Sequence, residues 1–150
     1  MILRSSPPSP FGRKVKIAAA ILGLSDKIEI VVTDTIDPAD SIRQQNPLGK
    51  IPALILADGT ALYDSRVIVE YLDLIAGGGK LIPNGAERIQ TLTLQALADG
   101  IMDAGILQMY ERRFRDEDPA KPNGSPINRA RSTAHLLILN RPAHRFTRHR

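Results

Sequence analysis

The sequence contains no cysteine, and this absence excludes several kinds of site. Without a thiol the chain can form no disulfide, no thiolate metal site and no cysteine nucleophile. All three histidines come after residue 134, so the body of the chain can hold no histidine-based site. No apolar run approaches the about 18 residues of a membrane-spanning helix, and no signal-peptide pattern follows Met1. We therefore expect a soluble, cytoplasmic protein with no metal and no membrane partner.

Acidic residues are missing from the end of the chain. Residues 119–150 hold seven Lys and Arg and no Asp or Glu, whereas residues 1–118 hold 13 basic and 16 acidic residues. The net charge of +4 therefore comes from this tail. Two interpretations stay open: a basic arm that binds nucleic acid or an acidic partner, and an atypical end such as a change of reading frame. Only one aromatic, Phe146, lies among the basic residues, so nucleic-acid binding ranks last among the functions considered.

A proline and a hairpin turn organise the middle of the chain. The short apolar run Ala53–Leu56 predicts a buried strand. Pro52 cannot donate to a sheet ladder, so it should occupy the first position or the edge of that strand. Its neighbour Ile51 is then free to offer its backbone groups to a molecule outside the protein. Asp58–Gly59, between two apolar runs, predicts a tight antiparallel turn.

A helix with a polar start follows the hairpin. Asp64 or Ser65 is its N-cap, and Gly77 ends it. A helix start exposes N–H groups and a partial positive charge, which suits a carboxylate ligand. Spacing leaves open whether Asp64 and Ser65 only cap the helix. The apolar positions that fall on one helical stripe are Val67, Ile68, Tyr71, Leu72 and Ile75.

The first third of the sequence predicts a strand, a helix and a second strand. The expected elements are a strand at residues 1–4, a helix from Pro10 to about Leu22 with Ser9 as N-cap, a strand at residues 28–32 and one helical turn after Pro38. The long crossover between the two strands implies that they are parallel. Arg13, Lys14 and Lys16 are expected on a solvated face of the helix, or on one where their side chains lie partly along the protein surface.

Three segments, in this order and spacing, resemble the motifs of cytosolic glutathione transferases. They are residues 9–15 (SPFGRKV), 46–54 (NPLGKIPAL) and 64–72 (DSRVIVEYL). The resemblance implies an α/β thioredoxin-like N-terminal domain of order βαβ-ββα over residues 1–77, followed by an incomplete all-α C-terminal domain. A linker at 78–85, the start of the helical domain at 86–118 and the atypical tail at 119–150 complete this division.

The resemblance also implies a glutathione site. Pro52 would follow a cis peptide bond, and the Ile51 backbone would pair with the cysteinyl part of glutathione like an added strand. Ser65 and the helix start would hold the γ-glutamyl carboxylate, and Asp64 the γ-glutamyl amine. Lys50 would reach the glycyl carboxylate.

Ser9 aligns with the catalytic serine of the serine-type classes, whose hydroxyl touches the glutathione sulfur. A serine hydroxyl can donate a hydrogen bond to a thiolate and so favour the ionised thiol. Whether Ser9 only caps its helix stays open, and Ser6 is the next candidate. A long helix is predicted from Ala86 to about Arg115, and it carries three weaker candidates for an electrophile pocket, Asp99, Asp103 and Tyr110.

The function implied by the resemblance is that of a serine-type glutathione transferase, with glutathione as co-substrate, acting on a small electrophile or, as a related peroxidase, on a peroxide. The expected form is a homodimer with a role in detoxification, and the truncated C-terminal domain would impair activity. The alternative is a non-catalytic thioredoxin-fold module that binds a protein partner.

Overall fold

The structure, a computed structural model, describes residues 1–114, with side chains described as far as Glu111. The chain divides into two units, Met1–Gln95 and Ala96–Arg150. The predictions made for the basic tail at 119–150 fall outside the described residues. The domain boundaries expected near residues 77, 85 and 118 stay predictions.

The order of the elements matches the expected strand-helix-strand, strand-strand-helix arrangement. A 3₁₀ turn, Ser25–Lys27, precedes the second strand, and the short second helix is the helical turn predicted after Pro38. Within residues 1–114 the elements are β1 (Ile2–Ser5), α1 (Pro10–Ile21), β2 (Glu29–Val32), α2 (Ile42–Gln45), β3 (Ala53–Ile55), β4 (Ala61–Leu62), α3 (Ser65–Ile75) and α4 (Ala86–Phe114).

The strands form one mixed sheet in the order β2-β1-β3-β4. β1 is parallel to β2, as predicted, and antiparallel to β3, which is antiparallel to β4. The ends of β1 and β4 therefore lie at the same end of the sheet as the start of β3. Three connecting segments meet there: residues 6–9, 50–52 and 63–65. We call this the loop end of the sheet.

The core of the first unit lies between the sheet and the two helices α1 and α3, which pack on each other. Burial of one large aliphatic side chain contributes about 1.5–3 kcal/mol, so this cluster fixes both helices against the sheet. The starts of α1 and α3 are thereby fixed at the loop end. The apolar side chains with at most 1% of their surface exposed in this cluster are Leu3, Val15, Leu54, Ile68 and Leu72.

The buried face of α3 is rotated from the predicted stripe. Val67 and Ile75 were expected on that stripe, but they are 47% and 43% exposed. The rotation brings two polar residues inward, and both have hydrogen-bond partners there. Hydrophobic periodicity could not predict this because it assigns polar side chains to the surface. The residues of α3 that are buried are Ser65, Ile68, Val69, Leu72 and Asp73.

The Asp73 carboxylate holds the segment that follows α3 in place through hydrogen bonds. Its Oδ1 accepts hydrogen bonds from the N–H groups of Lys80 and Leu81 at 3.0 and 2.9 Å. Its Oδ2 accepts from those of Gly79 and Ile82 at 2.9 and 3.4 Å. Burial raises the pKa of Asp73, but the four N–H donors outweigh it and hold the pKa below its ordinary value. The predicted linker therefore begins as a turn tied to α3.

Arg4 ties the segment that contains α2 to the central strand. Its side chain is buried, and it donates hydrogen bonds to Thr33 Oγ1 at 2.8 Å and Ser41 Oγ at 3.0 Å. It also donates to Gln45 Oε1 at 3.2 Å and forms an ion pair with Asp40 at 2.6 Å. The buried guanidinium is thus matched by acceptors on one connecting segment, which positions the loop that leads to Ile51.

The long helix α4 begins at Ala86, as predicted, and is described to Phe114. In the first unit, Arg88 of α4 pairs with Glu70 of α3, and Leu92 packs against the core. Ile89, one of its predicted apolar positions, is 66% exposed. Among the described residues, no helix combines the length and the apolar character needed to cross a membrane.

Candidate functional site

Ser9 caps α1 and stands at the loop end of the sheet. Its backbone is extended, and its Oγ accepts a hydrogen bond from the N–H of Gly12 at 3.0 Å. Pro10 occupies the first turn, where its missing N–H costs nothing. A hydroxyl has one donor and two acceptor positions, so this cap leaves the O–H of Ser9 able to donate to a ligand. Capping and a contact to a ligand are therefore compatible at Ser9.

The end of β1 approaches the first turn of α1 closely. A Cβ placed on Gly12 would lie 2.1 Å from Ser5 Oγ and 3.3 Å from Ser9 Oγ, so only glycine fits there. Ser5 Oγ is buried and has no hydrogen-bond partner among the described residues. The carbonyl of Ser6, the next candidate after Ser9, accepts from the N–H of Ser9 at 3.1 Å. The loop 6–9 is thus held by its backbone.

The peptide bond between Ile51 and Pro52 is cis, as the resemblance implied. Pro52 is buried, and β3 begins only at Ala53, so Ile51 lies outside the ladder. The backbone N–H and C=O of Ile51 form no hydrogen bond with another described residue. They remain at the loop end as one unpaired donor and one unpaired acceptor.

The Asn46 side chain stabilises the loop that places Ile51 at the loop end of the sheet. Its side chain is 2% exposed; Nδ2 donates to the Lys50 carbonyl at 2.8 Å, and Oδ1 accepts from the Leu48 N–H at 3.1 Å. Gly49 has a φ of +62°, which glycine adopts without strain. Lys50 itself is exposed. Sequence reasoning missed the role of Asn46, although an Asn-Pro pair followed by glycine is a turn signal.

Asp64 and Ser65 divide their roles at the start of α3. Asp64 is the N-cap, because its Oδ1 accepts from the Arg66 N–H at 2.8 Å, while its other oxygen points to no described donor. Ser65 is the first residue of the helix and is only 2% exposed. The N–H groups of the first turn have no partner within the helix. The start of α3 therefore presents a hydroxyl and backbone donors beside an exposed carboxylate.

Lys14 is a second residue of this site whose role sequence reasoning missed. It was expected on a solvated or partly covered face of α1, and it is half-buried; its contact with Ser65, where Nζ lies 3.4 Å from Oγ, was not predicted. The two residues are 51 positions apart, so no local pattern could join them. The contact joins the N-terminal half of α1 to the start of α3.

The weaker candidates on α4 belong to the second unit. Asp99 is 1% exposed, whereas Asp103 and Tyr110 are exposed. Their expected role in an electrophile pocket stays a prediction. In the part of the chain that the structure describes, no cluster of three or more acidic or histidine side chains is placed to bind a metal.

The comparisons with known proteins agree with this arrangement. The sequence profile described as the glutathione S-transferase N-terminal domain matches residues 8–75. A glutathione transferase family member from Pseudomonas fluorescens Pf-5, solved with bound glutathione, is 39% identical with a TM-score of 0.83, over 92% of this chain and 69% of that one. The chain belongs to the glutathione transferase family.

Two further relatives support the assignment to this family. A glutathione S-transferase from Methylobacillus flagellatus KT, solved with glutathione bound, is 37% identical with a TM-score of 0.83, over 92% of this chain and 67% of that one. YibF, an uncharacterised GST-like protein of Escherichia coli K12, is 34% identical over 135 residues, which are 87% of this chain and 66% of YibF. The chain thus spans about two thirds of the length of these relatives.

Proposed function

We propose that this chain binds glutathione at the loop end of the sheet and lowers the pKa of its thiol for attack on a small electrophile. The observation that carries the proposal is the meeting of three segments at one end of the sheet. They offer an unpaired backbone at Ile51 and a serine at each of two helix starts. The two bacterial transferases described above, both solved with glutathione, support the choice of ligand.

The γ-glutamyl end of the tripeptide fits the start of α3. Its α-carboxylate accepts from the hydroxyl and N–H of Ser65, where the partial positive charge of the helix also favours an anion. Its α-amine pairs with the free carboxylate oxygen of Asp64. A charge-assisted hydrogen bond contributes about 1.5–3 kcal/mol. Ser65 and Asp64 together therefore favour a ligand that carries both a carboxylate and an amine.

The cysteinyl residue fits beside Ile51. Its N–H and C=O pair with the free backbone groups of Ile51 in the manner of an added antiparallel strand. Main-chain pairing fixes the backbone of the cysteinyl residue, and this determines where its sulfur lies. Lys50, exposed next to Ile51, is placed to meet the glycyl carboxylate.

Ser9 then acts on the sulfur. The thiol of free glutathione is expected to titrate near the cysteine value of about 8.5. Lowering this pKa by about two units requires roughly 2.7 kcal/mol of preference for the thiolate. One hydrogen bond from the Ser9 O–H to the thiolate, at about 1.5–3 kcal/mol, together with about 0.3–1 kcal/mol from the start of α1, supplies this amount.

The reaction that follows is nucleophilic substitution or addition. The thiolate forms a carbon–sulfur bond with the electrophile. In substitution the leaving group departs with the electron pair of the broken bond, and in addition the electron pair of the opened double bond takes up a proton from solvent. The thiol proton goes to solvent when the thiolate forms. We expect the active form to be a homodimer, which light scattering of the purified protein tests directly.

Calorimetric titration with glutathione tests the proposal. The wild type is expected to bind with a saturable heat, and Ser65→Ala and Asp64→Asn to weaken binding by about 10–100-fold, the loss of one charge-assisted hydrogen bond. Asp58→Asn is a matched control, because Asp58 also accepts from the N–H two residues on, at 2.9 Å, but lies in the distant hairpin turn. Exposed Ser25→Ala is the matched serine control. No heat with the wild type, or equal losses in the controls, would contradict the proposal.

A further inference from the structure

The outer edge of the sheet is formed by β2, which pairs with β1 alone among the described strands. The N–H groups of Glu29 and Thr33 donate to carbonyls of the β1 side, both at 2.9 Å. Because every second residue of a strand faces the same neighbour, Ile30 and Val32 point their N–H and C=O groups away from β1. No other described backbone group pairs with these two residues. They form an open row of two donors and two acceptors.

The side chains at this edge are apolar and open to solvent. Ile30 is 51% exposed and Val32 is 69% exposed. In the register, Ile30 lies beside Leu3 and Val32 beside Ser5, so both side chains lie on one face of the sheet. Charged side chains, prolines and bulges usually protect an exposed edge from pairing with another chain. Residues 30–32 carry no charge and no proline, so this edge is unprotected.

We propose that β2 pairs antiparallel with β2 of a second copy of this chain, about a two-fold axis at Val31. A second copy fits because the edge is complementary to itself. In this register Ile30 lies opposite Val32 of the partner subunit, and Val32 opposite Ile30 of the partner subunit. Each opposite pair exchanges two N–H to C=O hydrogen bonds. The partial charges of the two edges therefore match at all four outward donors and all four outward acceptors.

The side chains also match in this register. Ile30 meets Val32 of the partner subunit on the same face, and apolar cross-strand pairs of this kind stabilise a sheet. Glu29, the one charged residue of β2, lies opposite Thr33 of the partner subunit. The two copies of Glu29 are separated by four positions along the strands, at least about 13 Å, which exceeds the screening length of about 10 Å at 0.1 M salt. No like charges face each other.

The pairing ends at two copies. A two-fold contact uses the same edge in both copies, so β2 is covered in each. The opposite edge strand, β4, is only two residues long, Ala61–Leu62, which is too short to add further strands. The two four-stranded sheets become one continuous sheet. The contact is small, and small interfaces are typically transient, so the pair should dissociate on dilution.

Disulfide crosslinking tests the pairing in the full chain, because the protein has no cysteine and each variant carries a single thiol. Val31→Cys places two thiols at the two-fold axis, where opposite Cα atoms lie about 4.5 Å apart, within the range of a disulfide. With diamide as oxidant, it should form a covalent dimer at least about tenfold faster than Ile21→Cys. Ile21 is a stringent control, because its side chain on α1 is 67% exposed.

The register is tested with two further variants. Ile30→Cys, carrying an affinity tag, and untagged Val32→Cys should form a mixed disulfide, because opposite Cα atoms of a hydrogen-bonded pair lie about 5.5 Å apart. Each variant alone should crosslink slowly, because its own copy lies diagonally opposite, about 7–8 Å away, beyond the reach of a disulfide. Non-reducing electrophoresis separates the products.

A charge on the edge should prevent the pairing. Val32→Lys added to Val31→Cys should slow crosslinking about tenfold, whereas Ile21→Lys added to Val31→Cys should leave the rate unchanged. Thermal unfolding of each variant checks that it is folded. Equal rates for Val31→Cys and Ile21→Cys would indicate random collision and overturn the proposal. Fast crosslinking of Ile30→Cys with itself would mean another register and would also overturn it. The test uses no glutathione, so its outcome is independent of the proposed function.

Discussion

Gly12 lies so close to Ser5 that a single added methyl group would reach to 2.1 Å from Ser5 Oγ. The contact joins the end of the central strand to the first turn of α1. In the same turn the N–H of Gly12 donates to the hydroxyl of Ser9. The position of the proposed catalytic hydroxyl therefore depends on a glycine three residues further on and on a serine of the strand.

Replacement of Gly12 by alanine should destabilise the fold and weaken glutathione binding. A Cβ at this position forces the strand and the helix apart, and overpacking of this kind costs about 1–3 kcal/mol. Ser5→Ala removes the nearest atom, so the double variant Ser5→Ala/Gly12→Ala should regain part of the loss. Urea unfolding of the two single variants and the double variant measures the coupling. Strict additivity of the two changes would show that the contact does not limit packing.

Ser5→Ala alone should leave stability unchanged or raise it. The Ser5 hydroxyl is buried with no hydrogen-bond partner among the described residues. An unsatisfied buried hydroxyl costs about 1–3 kcal/mol, and removing it relieves that cost. Urea unfolding checks this, with Ser25→Ala as the exposed control. A clear loss of stability in Ser5→Ala would mean that the hydroxyl has a partner.

Replacement of Ser9 separates its cap from its contact with sulfur. Ser9→Ala should cost about 1 kcal/mol of stability through loss of the N-cap. It should also raise the pKa of the bound thiol by about 1–2 units. At a pH below that pKa the fraction of thiolate, and with it the rate with an activated aryl halide, should then fall about 10–100-fold. Ser9→Asp keeps a good N-cap but adds a negative charge and removes the donor. It should be stable and almost inactive.

The ultraviolet absorbance of the bound thiolate, titrated against pH, measures this effect for each variant. The thiol pKa is expected to rise in the order wild type, Ser9→Ala, Ser9→Asp. If Ser9→Ala leaves both the thiol pKa and the turnover unchanged, Ser9 is only a cap. Absence of turnover in the wild type would instead favour the non-catalytic interaction module.

Asn46→Ala should loosen the loop that presents Ile51. The substitution removes the side-chain amide that donates to the Lys50 carbonyl and accepts from the Leu48 N–H, so these two backbone groups lose their hydrogen bonds to Asn46. A loss of about 1–3 kcal/mol in unfolding free energy is expected, with a weaker affinity for glutathione. Exposed Gln44→Ala, in the preceding helix, is the control. Unchanged affinity in Asn46→Ala would show that the loop is held by other contacts.

Asp73 should make the fold sensitive to acid. Because the pKa of folded Asp73 lies below its ordinary value, the unfolded chain takes up this proton first as pH falls. The stability that the carboxylate contributes is therefore complete well above about pH 4, and it is lost as the pH falls from about 4 through the folded pKa. Asp73→Asn should lower the unfolding free energy near neutral pH by about 2 kcal/mol, because an amide binds the four N–H donors less strongly.

The comparison of wild type and Asp73→Asn across pH tests this assignment. The difference between their unfolding free energies should shrink as the pH is lowered from neutral to about 3. Asp26→Asn, an exposed acid in the 3₁₀ turn, serves as the control. A difference that stays constant over this range would show that the carboxylate charge of Asp73 does not contribute.

Local signals were sufficient to predict most elements of the first unit. Ser9–Pro10 marked the start of α1, and Asp58–Gly59 marked the hairpin between β3 and β4. Each of these acts through the backbone of its own few residues. The grouping of the candidate residues at the loop end could also be predicted, because the directions of the strands alone bring the three segments to one end of the sheet.

The contacts that escaped prediction depend on residues far apart in the sequence. Lys14 meets Ser65 only because α1 packs on α3, and Arg4 finds its acceptors on a segment some thirty to forty positions away. Val67 faces outward because the partners of two polar residues set the rotation of α3. Periodicity describes one helix at a time, so it cannot supply the partner that makes a buried polar residue favourable.

The central claim is that glutathione pairs with the backbone of Ile51 at the loop end. Amide hydrogen exchange followed by nuclear magnetic resonance tests it most directly, because the Ile51 N–H has no partner among the described residues in the absence of ligand. Saturating glutathione should slow exchange at Ile51 by at least about tenfold, which corresponds to about 1.4 kcal/mol of protection. The exposed hairpin residue Asp58 should exchange as before. Saturable binding of glutathione with unchanged exchange at Ile51 would contradict the account.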